Sequence, residues 1–310
     1  MQTSDSSQKN LWYSRNLSDF TALLNSFSTF EGFLDFINTL PKKSPRLSLY
    51  EGRDHSNLTV VIITANENSR YVTYLKSFFM GANVIISEAN GQNFNYSHSV
   101  NNGLALAKKL DSEWVVVSND DVFLPGDLDD FMSRLNSDKS HNVLTPVQAG
   151  INQSNIKYHG EIFSICRSNL FNSLLFFKYQ KPKELWKMYR ELPGWSTKRL
   201  DCLEFGSSSN NLVKKFSKCI FKDLRNFSDF GIFRSEILRD FSFDESFQNG
   251  FEDFDLVIRL HKSGISVDTL DFDVKSVGGA SLGYGLSRWP LIVFGQMYLN
   301  YKIAKMTNSD

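Results

Sequence analysis

Val115-Val116-Val117-Ser118-Asn119-Asp120-Asp121-Val122-Phe123 reads as a buried strand that ends in an amide and two carboxylates. Successive β-branched residues without polar alternation are the pattern of a strand covered on both faces. In open α/β sheets, ligands bind just beyond the carboxyl ends of such strands. Aspartates placed there can hold a hard cation such as Mg2+, which in turn binds phosphate oxygens. Asn and Asp are also ordinary turn residues. By itself the run favours a plain strand-to-loop turn, and the surrounding sequence has to decide.

Upstream, strand and helix patterns alternate from residue 58. Leu58 to Thr64 is a buried-type strand, Tyr71 to Phe79 a helix, and Asn83 to Ser87 a second strand. Ser97 to Leu110 is amphipathic, with Val100, Leu104, Ala107 and Leu110 on one face, and Glu113 to Ser118 is the third strand. This order predicts right-handed crossovers and an α/β fold with a mostly parallel sheet flanked by helices. The three strand ends then share one rim: Thr64-Ala65-Asn66-Glu67, Glu88-Ala89-Asn90-Gly91 and Asn119-Asp120-Asp121. No Gly-X-Gly-X-X-Gly and no P-loop follows the first strand, so phosphate binding there falls to a metal and side chains.

The chain divides by composition. Residues 1–56 read as an N-terminal helical extension and linker, with Phe20, Leu23, Leu24 and Phe27, then Phe30, Phe33, Leu34 and Ile37, on two short helices before Pro41 to Pro45. Residues 57–150 form the alternating half. Residues 151–227 break the alternation and read as a variable, helical insert. Within it, Ile162 to Arg190 sets many aromatics and six basic residues against Glu184 alone. That segment fits contact with a membrane surface or a lipid, and equally fits Lys-fringed helices packed on the domain. Residues 228–285 carry a second acidic motif, and 286–310 a C-terminal helix that is either interfacial or closes the core.

Net charge is zero, from 34 basic and 34 acidic residues, so nothing global points to nucleic acid. Cys166, Cys202 and Cys219 are odd in number and widely spaced, which fits a reducing compartment and no disulfide or zinc framework. The start is polar without a secretory pattern, and no apolar run approaches the roughly 18 residues of a membrane span. The expectation is a cytoplasmic protein. Sequons such as those at Asn57 and Asn226 are then incidental.

The second motif is Phe243-Asp244-Glu245-Ser246-Phe247 followed by Asn249-Gly250-Phe251-Glu252-Asp253-Phe254-Asp255-Leu256. A helix to Ser263 follows, with Gly264 as its stop. Glu252 and Asp253 fall in its first turn, where the helix dipole favours ionised carboxylates.

With both motifs in view, the chain resembles the GT-A-fold glycosyltransferases, particularly the family-2 inverting, rhamnosyltransferase-like enzymes. The resemblance rests on Thr59 to Thr64 with Asn66-Glu67 after it, and on Asn119-Asp120-Asp121 in the place of an Asp-X-Asp motif. The third element is Phe243-Asp244-Glu245 with Glu252-Asp253-Phe254-Asp255-Leu256 and Arg259. It covers about residues 58–150 and 228–280 and implies a single GT-A-type domain. It also implies transfer of a sugar, with inversion, from a nucleoside-diphosphate donor to a hydroxyl on a glycan, lipid-linked or protein acceptor. Asp253 would be the general base, with Glu252 orienting the acceptor or the base. Asp121 would hold a divalent cation, Mg2+ or Mn2+. Asp120 would assist through water or bind ribose or sugar, beside Asn119. Thr64, Asn66 and Glu67 resemble the base-contacting loop, and Glu88, with Asn90, stands where relatives carry a residue for uracil or ribose.

Two departures mark the match. Asn119 replaces the first acidic residue of Asp-X-Asp, and Lys275-Ser276 precede Val277-Gly278-Gly279-Ala280-Ser281 where many relatives have a His. They leave open a non-catalytic nucleotide-sugar or carbohydrate-binding protein of the same fold, separable by donor hydrolysis. A sugar nucleotidyltransferase is the other alternative, though Thr64 to Asn68 lacks the Gly-rich basic loop of that class.

Overall fold

The computed structural model describes residues 2–148, 156–159, 202–204, 219–227, 229–276 and 289–307. In chain order the elements are α1 (Gln2–Tyr13), α2 (Leu17–Asn25), α3 (Phe30–Thr39), β1 (Arg46–Tyr50), β2 (His55–Thr64), α4 (Arg70–Phe78), β3 (Ala82–Glu88), α5 (Tyr96–Ala107), β4 (Trp114–Asn119) and β5 (Val122–Phe123). Then come α6 (Leu128–Ser137), β6 (Val143–Gln148), β7 (Ile156–His159), β8 (Cys202–Glu204), β9 (Cys219–Leu224), β10 (Phe230–Arg234), α7 (Ile237–Asp240), α8 (Glu252–Lys262), β11 (Val267–Ser276) and α9 (Trp289–Thr307). The chain forms two compact units, one of residues 42–154 and 224–283, the other of residues 1–41, 155–223 and 284–310.

The first unit is α/β. Its eight strands lie in the order β1-β3-β2-β4-β10-β6-β11-β5. On β2, the side chains of Leu58, Val60 and Ile62 join those of Val72 and Leu75 from α4 and Phe131 and Leu135 from α6 in one buried cluster. The intervening Val61 lies under α5 at Gly103, where an added Cβ would sit 2.3 Å from Val61 Cγ1. Both faces of β2 are therefore covered, which is why its sequence is continuously apolar.

The sheet is mixed, which corrects the expectation of a mostly parallel one. Parallel pairing is confined to β2 with β3, β2 with β4 and β6 with β11. β10 enters between β4 and β6 antiparallel to both, pairing Phe230 with Ser118 and Ile232 with Leu144. β1 pairs antiparallel with β3, from Arg46 opposite Glu88 to Tyr50 opposite Val84. Neither added strand announces itself in the sequence. Phe230 to Arg234 is five residues with an internal glycine, normally a weakening feature of a strand. Here a Cβ at Gly231 would lie 2.8 Å from the rings of Phe227 and Phe233, so the aromatic packing demands glycine. Residues 46–50 sit inside the stretch read as extension and linker, and they pair through the backbone of an edge.

In the second unit, α2 and α3 bury the expected Phe20, Leu23, Leu24, Phe30, Phe33, Leu34 and Ile37. α9 closes the same core: Phe294 meets Trp12 at 5.8 Å and Phe33 at 5.6 Å between ring centres, both edge-on. α1, which carries Trp12, has a polar sequence that gives no amphipathic signal. β8, β7 and β9 form a three-stranded sheet in that order. The rest of the expected helical insert, including the basic aromatic segment 162–190, lies outside the described residues, as does Val277 to Ser281. No described helix is long and apolar enough to cross a membrane.

Candidate functional site

The parallel run β3-β2-β4 brings its three carboxyl ends to one rim, and polar contacts tie them together. The Ala89 N–H donates to the Thr64 carbonyl at 3.0 Å, and Asn90 Nδ2 donates to the Ala65 carbonyl at 2.9 Å. Thr64 Oγ1 donates to Asp120 Oδ2 at 2.6 Å and accepts from the Asn66 N–H at 3.0 Å. Asn66 Oδ1 accepts from the Asn68 N–H at 3.0 Å, an Asx turn that holds the first loop. Asp120 and Asp121 are buried at 5% and 3% exposure. Burial raises the Asp120 carboxyl above its usual range against the Thr64 hydrogen bond, and the neighbouring Asp121 charge adds to the rise.

Glu67 and Glu88 are engaged from β1. Arg46 Nη2 contacts Glu67 Oε2 at 2.8 Å and also binds Glu88 Oε2. Tyr50 donates its hydroxyl to Glu67 Oε1 at 2.6 Å and Ser48 donates to Glu67 Oε2 at 2.9 Å. The Tyr50 hydrogen bond leads the effects that hold the Glu67 carboxyl below its usual range. The edge strand thus fixes two of the residues picked out for nucleotide contact.

The second acidic motif begins α8 under unusual backbone geometry. Asn249 and Phe251 adopt φ of 64° and 72°. A bulky residue in the left-handed region costs on the order of 1–3 kcal/mol and persists only where surroundings enforce it. Asparagines supply the enforcement. Asn249 accepts the Tyr96 N–H at 2.7 Å and donates to the Phe94 carbonyl at 3.0 Å. Asn95 caps α5 through the His98 N–H at 2.8 Å while donating to the Glu245 and Phe247 carbonyls at 3.1 and 2.8 Å. Asn101 accepts the Phe243 N–H at 3.0 Å and donates to the Phe243 carbonyl at 2.9 Å. Residues about 150 positions apart in sequence are locked into one body by these contacts.

At the other end, α8 closes as expected at Gly264, φ 78°. The Ile265 N–H reaches the Leu260 carbonyl and the Gly264 N–H the His261 carbonyl, both at 3.0 Å, a Schellman closure. Asp255, 1% exposed, accepts from Arg259 Nε at 2.8 Å, and Arg259 Nη2 donates to the Ser242 carbonyl at 2.7 Å. This part of the motif holds the helix to the preceding loop. Glu252 is buried and Asp253 half-buried on the first turn.

The charges of both acidic motifs bear on Tyr96, the first residue of α5. Burial holds its phenol well above the usual range, and the carboxylates of Glu252, Asp229, Asp253 and Asp121 each push it further. Two short bridges run through the segment before β10. Asn119 Nδ2 donates to Asp229 Oδ1 at 2.7 Å, and Asn226 Nδ2 donates to Asp253 Oδ2 at 2.5 Å. Burial pushes the Asp253 carboxyl up to about 6. The Asn226 and Phe254 N–H hydrogen bonds oppose that rise, and the Asp229 charge adds to it.

Sequence reading missed Tyr96, Asn226 and Asp229. Asn226 drew notice only as a sequon, yet its amide nitrogen is committed to Asp253. Its usable signal is position: Asn226 to Asp229 immediately precedes a strand that lands beside Asn119.

Carboxylate oxygens such as those of Asp120 and Asp121 are hard donors, of the kind that suits a hard divalent cation and not a soft one. Among the described residues no three His, Cys, Asp or Glu side chains gather as a ready-made metal set. Asp121 fits the sparser arrangement in which one or two carboxylates are completed by phosphate oxygens and water. A scan against protein-family models finds no match, and no curated protein matches the sequence.

Proposed function

We propose that this protein is an inverting GT-A-type glycosyltransferase, moving a sugar from a nucleoside-diphosphate donor to an acceptor hydroxyl. The observation that carries the reading is that the short segment before β10 touches both acidic motifs: Asn226 binds Asp253 at 2.5 Å, and Asp229 binds Asn119, two residues before Asp121, at 2.7 Å. An inverting displacement needs one charged centre beside the leaving diphosphate and another beside the incoming hydroxyl. The tied rim of Thr64, Asn66, Asn90, Asn119 and Asp120 is the place for the donor nucleotide, with Glu67 and Glu88 held at its edge by Arg46.

Asp253 takes the proton of the acceptor hydroxyl as that oxygen bonds to the anomeric carbon and the bond to the diphosphate breaks. A positioned base contributes about 10²–10⁴-fold, and a carboxyl that titrates near 6 is ionised at neutral pH yet more basic than an ordinary aspartate. Glu252, next to it on the first turn, orients the acceptor. Asp121 would hold the divalent cation, which would neutralise charge on the departing diphosphate.

The test is turnover of UDP-, GDP- and dTDP-hexoses with Mn2+, followed by NMR of the product. An inverted anomer supports the reading. A retained anomer, or no release of nucleoside diphosphate from any donor, overturns it.

A further inference from the structure

Asp253 needs more than a favourable proton affinity to serve as a base. One of its oxygens must be available in a fixed direction. Its Oδ2 is taken by Asn226 Nδ2 at 2.5 Å, and this contact spans 27 residues from the segment before β10 to the first turn of α8. Asn226 is itself held on a short, anchored segment. Phe227 beside it is 1% exposed, and its ring meets those of Phe233 and Phe243 at 5.1 and 6.1 Å. Two residues further on, Asp229 is bound to Asn119 through both side chain and main chain.

We infer that Asn226 is a positioning residue for glycosyl transfer, clamping Oδ2 of Asp253 so that Oδ1 is presented to the acceptor hydroxyl. The inference rests on the transferase reading above. An amide is suited to this task because its N–H donates to the ionised carboxylate without adding charge. A Lys in its place would neutralise the base, and a carboxylate would repel it. The same hydrogen bond favours the ionised form, so its removal makes Asp253 harder to ionise. Misplacement of a reacting group by about 1 Å can cost on the order of 100-fold, which sets the scale of the effect.

The groups that face Asp253 from neighbouring elements are Asn226 and Asp229 from the segment before β10 and the Phe254 N–H on α8 itself. Tyr96, at the start of α5, feels the Asp253 charge.

The experiment compares wild type with Asn226→Ala and the isosteric Asn226→Asp, using the best donor hexose with Mn2+ across pH 5–9. In parallel, the Asp253 carboxyl is followed by 13C NMR and assigned by its loss in Asp253→Asn. In Asn226→Ala, kcat should fall about 10- to 100-fold with the donor KM within about twofold. The acid limb and the carboxyl midpoint should both move up by about one pH unit, and further in Asn226→Asp. A merely structural role would shift the midpoint through the lost hydrogen bond but leave kcat and the acid limb where they are, which would overturn the role of Asn226. Wild-type kcat and an unmoved limb and midpoint in the folded Asn226→Asp overturn the role of Asn226 alone. Absence of turnover in wild type, with a midpoint that still moves in Asn226→Ala, overturns the transferase reading and takes this role with it.

Discussion

Asn119 and Asp229 are joined twice, through Asn119 Nδ2 to Asp229 Oδ1 at 2.7 Å and through the Asn119 N–H to the Asp229 carbonyl at 2.9 Å. The neutral residue at the head of the Asn-Asp-Asp run is therefore matched to a carboxylate on the adjoining chain segment. An aspartate at 119 would set two like charges at hydrogen-bond distance. Asn119→Asp should lower the unfolding free energy by about 1–3 kcal/mol at pH 7.5 in urea. Adding Asp229→Asn to that variant restores a donor–acceptor pair and should recover most of the loss. If the single variant is as stable as wild type, the pair does not constrain this position.

Asn95 is 1% exposed and makes three hydrogen bonds, one as the cap of α5 and two to the loop before α8. Loss of a cap costs about 1 kcal/mol, and each buried carbonyl left without its donor adds a comparable amount. Asn95→Ala should therefore destabilise by about 2–4 kcal/mol. It should also expose residues 243–251 to limited proteolysis before the sheet is attacked. A loss under about 1 kcal/mol, with the loop still protected, would show that the loop is held by other contacts.

Much of this architecture was legible, and the reasons differ by element. β2, β4 and α5 follow from periodicity, because burial on one or two faces leaves a direct trace in residue type. α8 follows from its acidic first turn and Gly264. β1 and β10 did not follow, because both are short and join the sheet by backbone pairing next to strands distant in sequence. For that reason the parallel alternation of residues 58–118 does not carry over to the whole sheet. The rim residues Thr64, Asn66, Asn90 and Asp120 were found by strand-end logic. Asn226, Asp229 and Tyr96 escaped it because they matter through partners that only tertiary contact supplies.

Asp253 gives a stability prediction whose sign is opposite to that of a salt-bridged carboxylate. Its folded value of about 6 lies above the ordinary 3.8, so the native state holds the proton more tightly than the unfolded chain. The stabilisation from protonation is complete below about pH 4 and is lost as pH rises through 6. Above that, the ionised group is a burden of at most about 3 kcal/mol. Asp253→Asn should abolish transfer, leave donor binding intact, and raise stability at pH 8 by about 1 kcal/mol, with the gain vanishing near pH 4. Equal stability of the two proteins across this range would mean that burial does not perturb the group. Wild-type turnover in the variant would remove Asp253 from the chemistry.

Asp121 separates binding of the nucleotide from binding of the metal. A ligand present at about 100 times its dissociation constant stabilises the native state by about 2.7 kcal/mol. A nucleoside diphosphate should therefore raise the melting temperature measurably, and more so when Mn2+ is added. Thr64 bonds to Asp120 and Asn66, and Asn90 to the Ala65 carbonyl, so the metal-independent part should persist in Asp121→Asn while the Mn2+-dependent increment disappears. Asp120 provides the control. Its carboxyl is committed to Thr64, so Asp120→Asn should weaken the rim and reduce both parts together. If Asp121→Asn keeps the full Mn2+ increment, the cation is held elsewhere. If neither variant changes the response, the nucleotide does not bind at the β2–β4 rim.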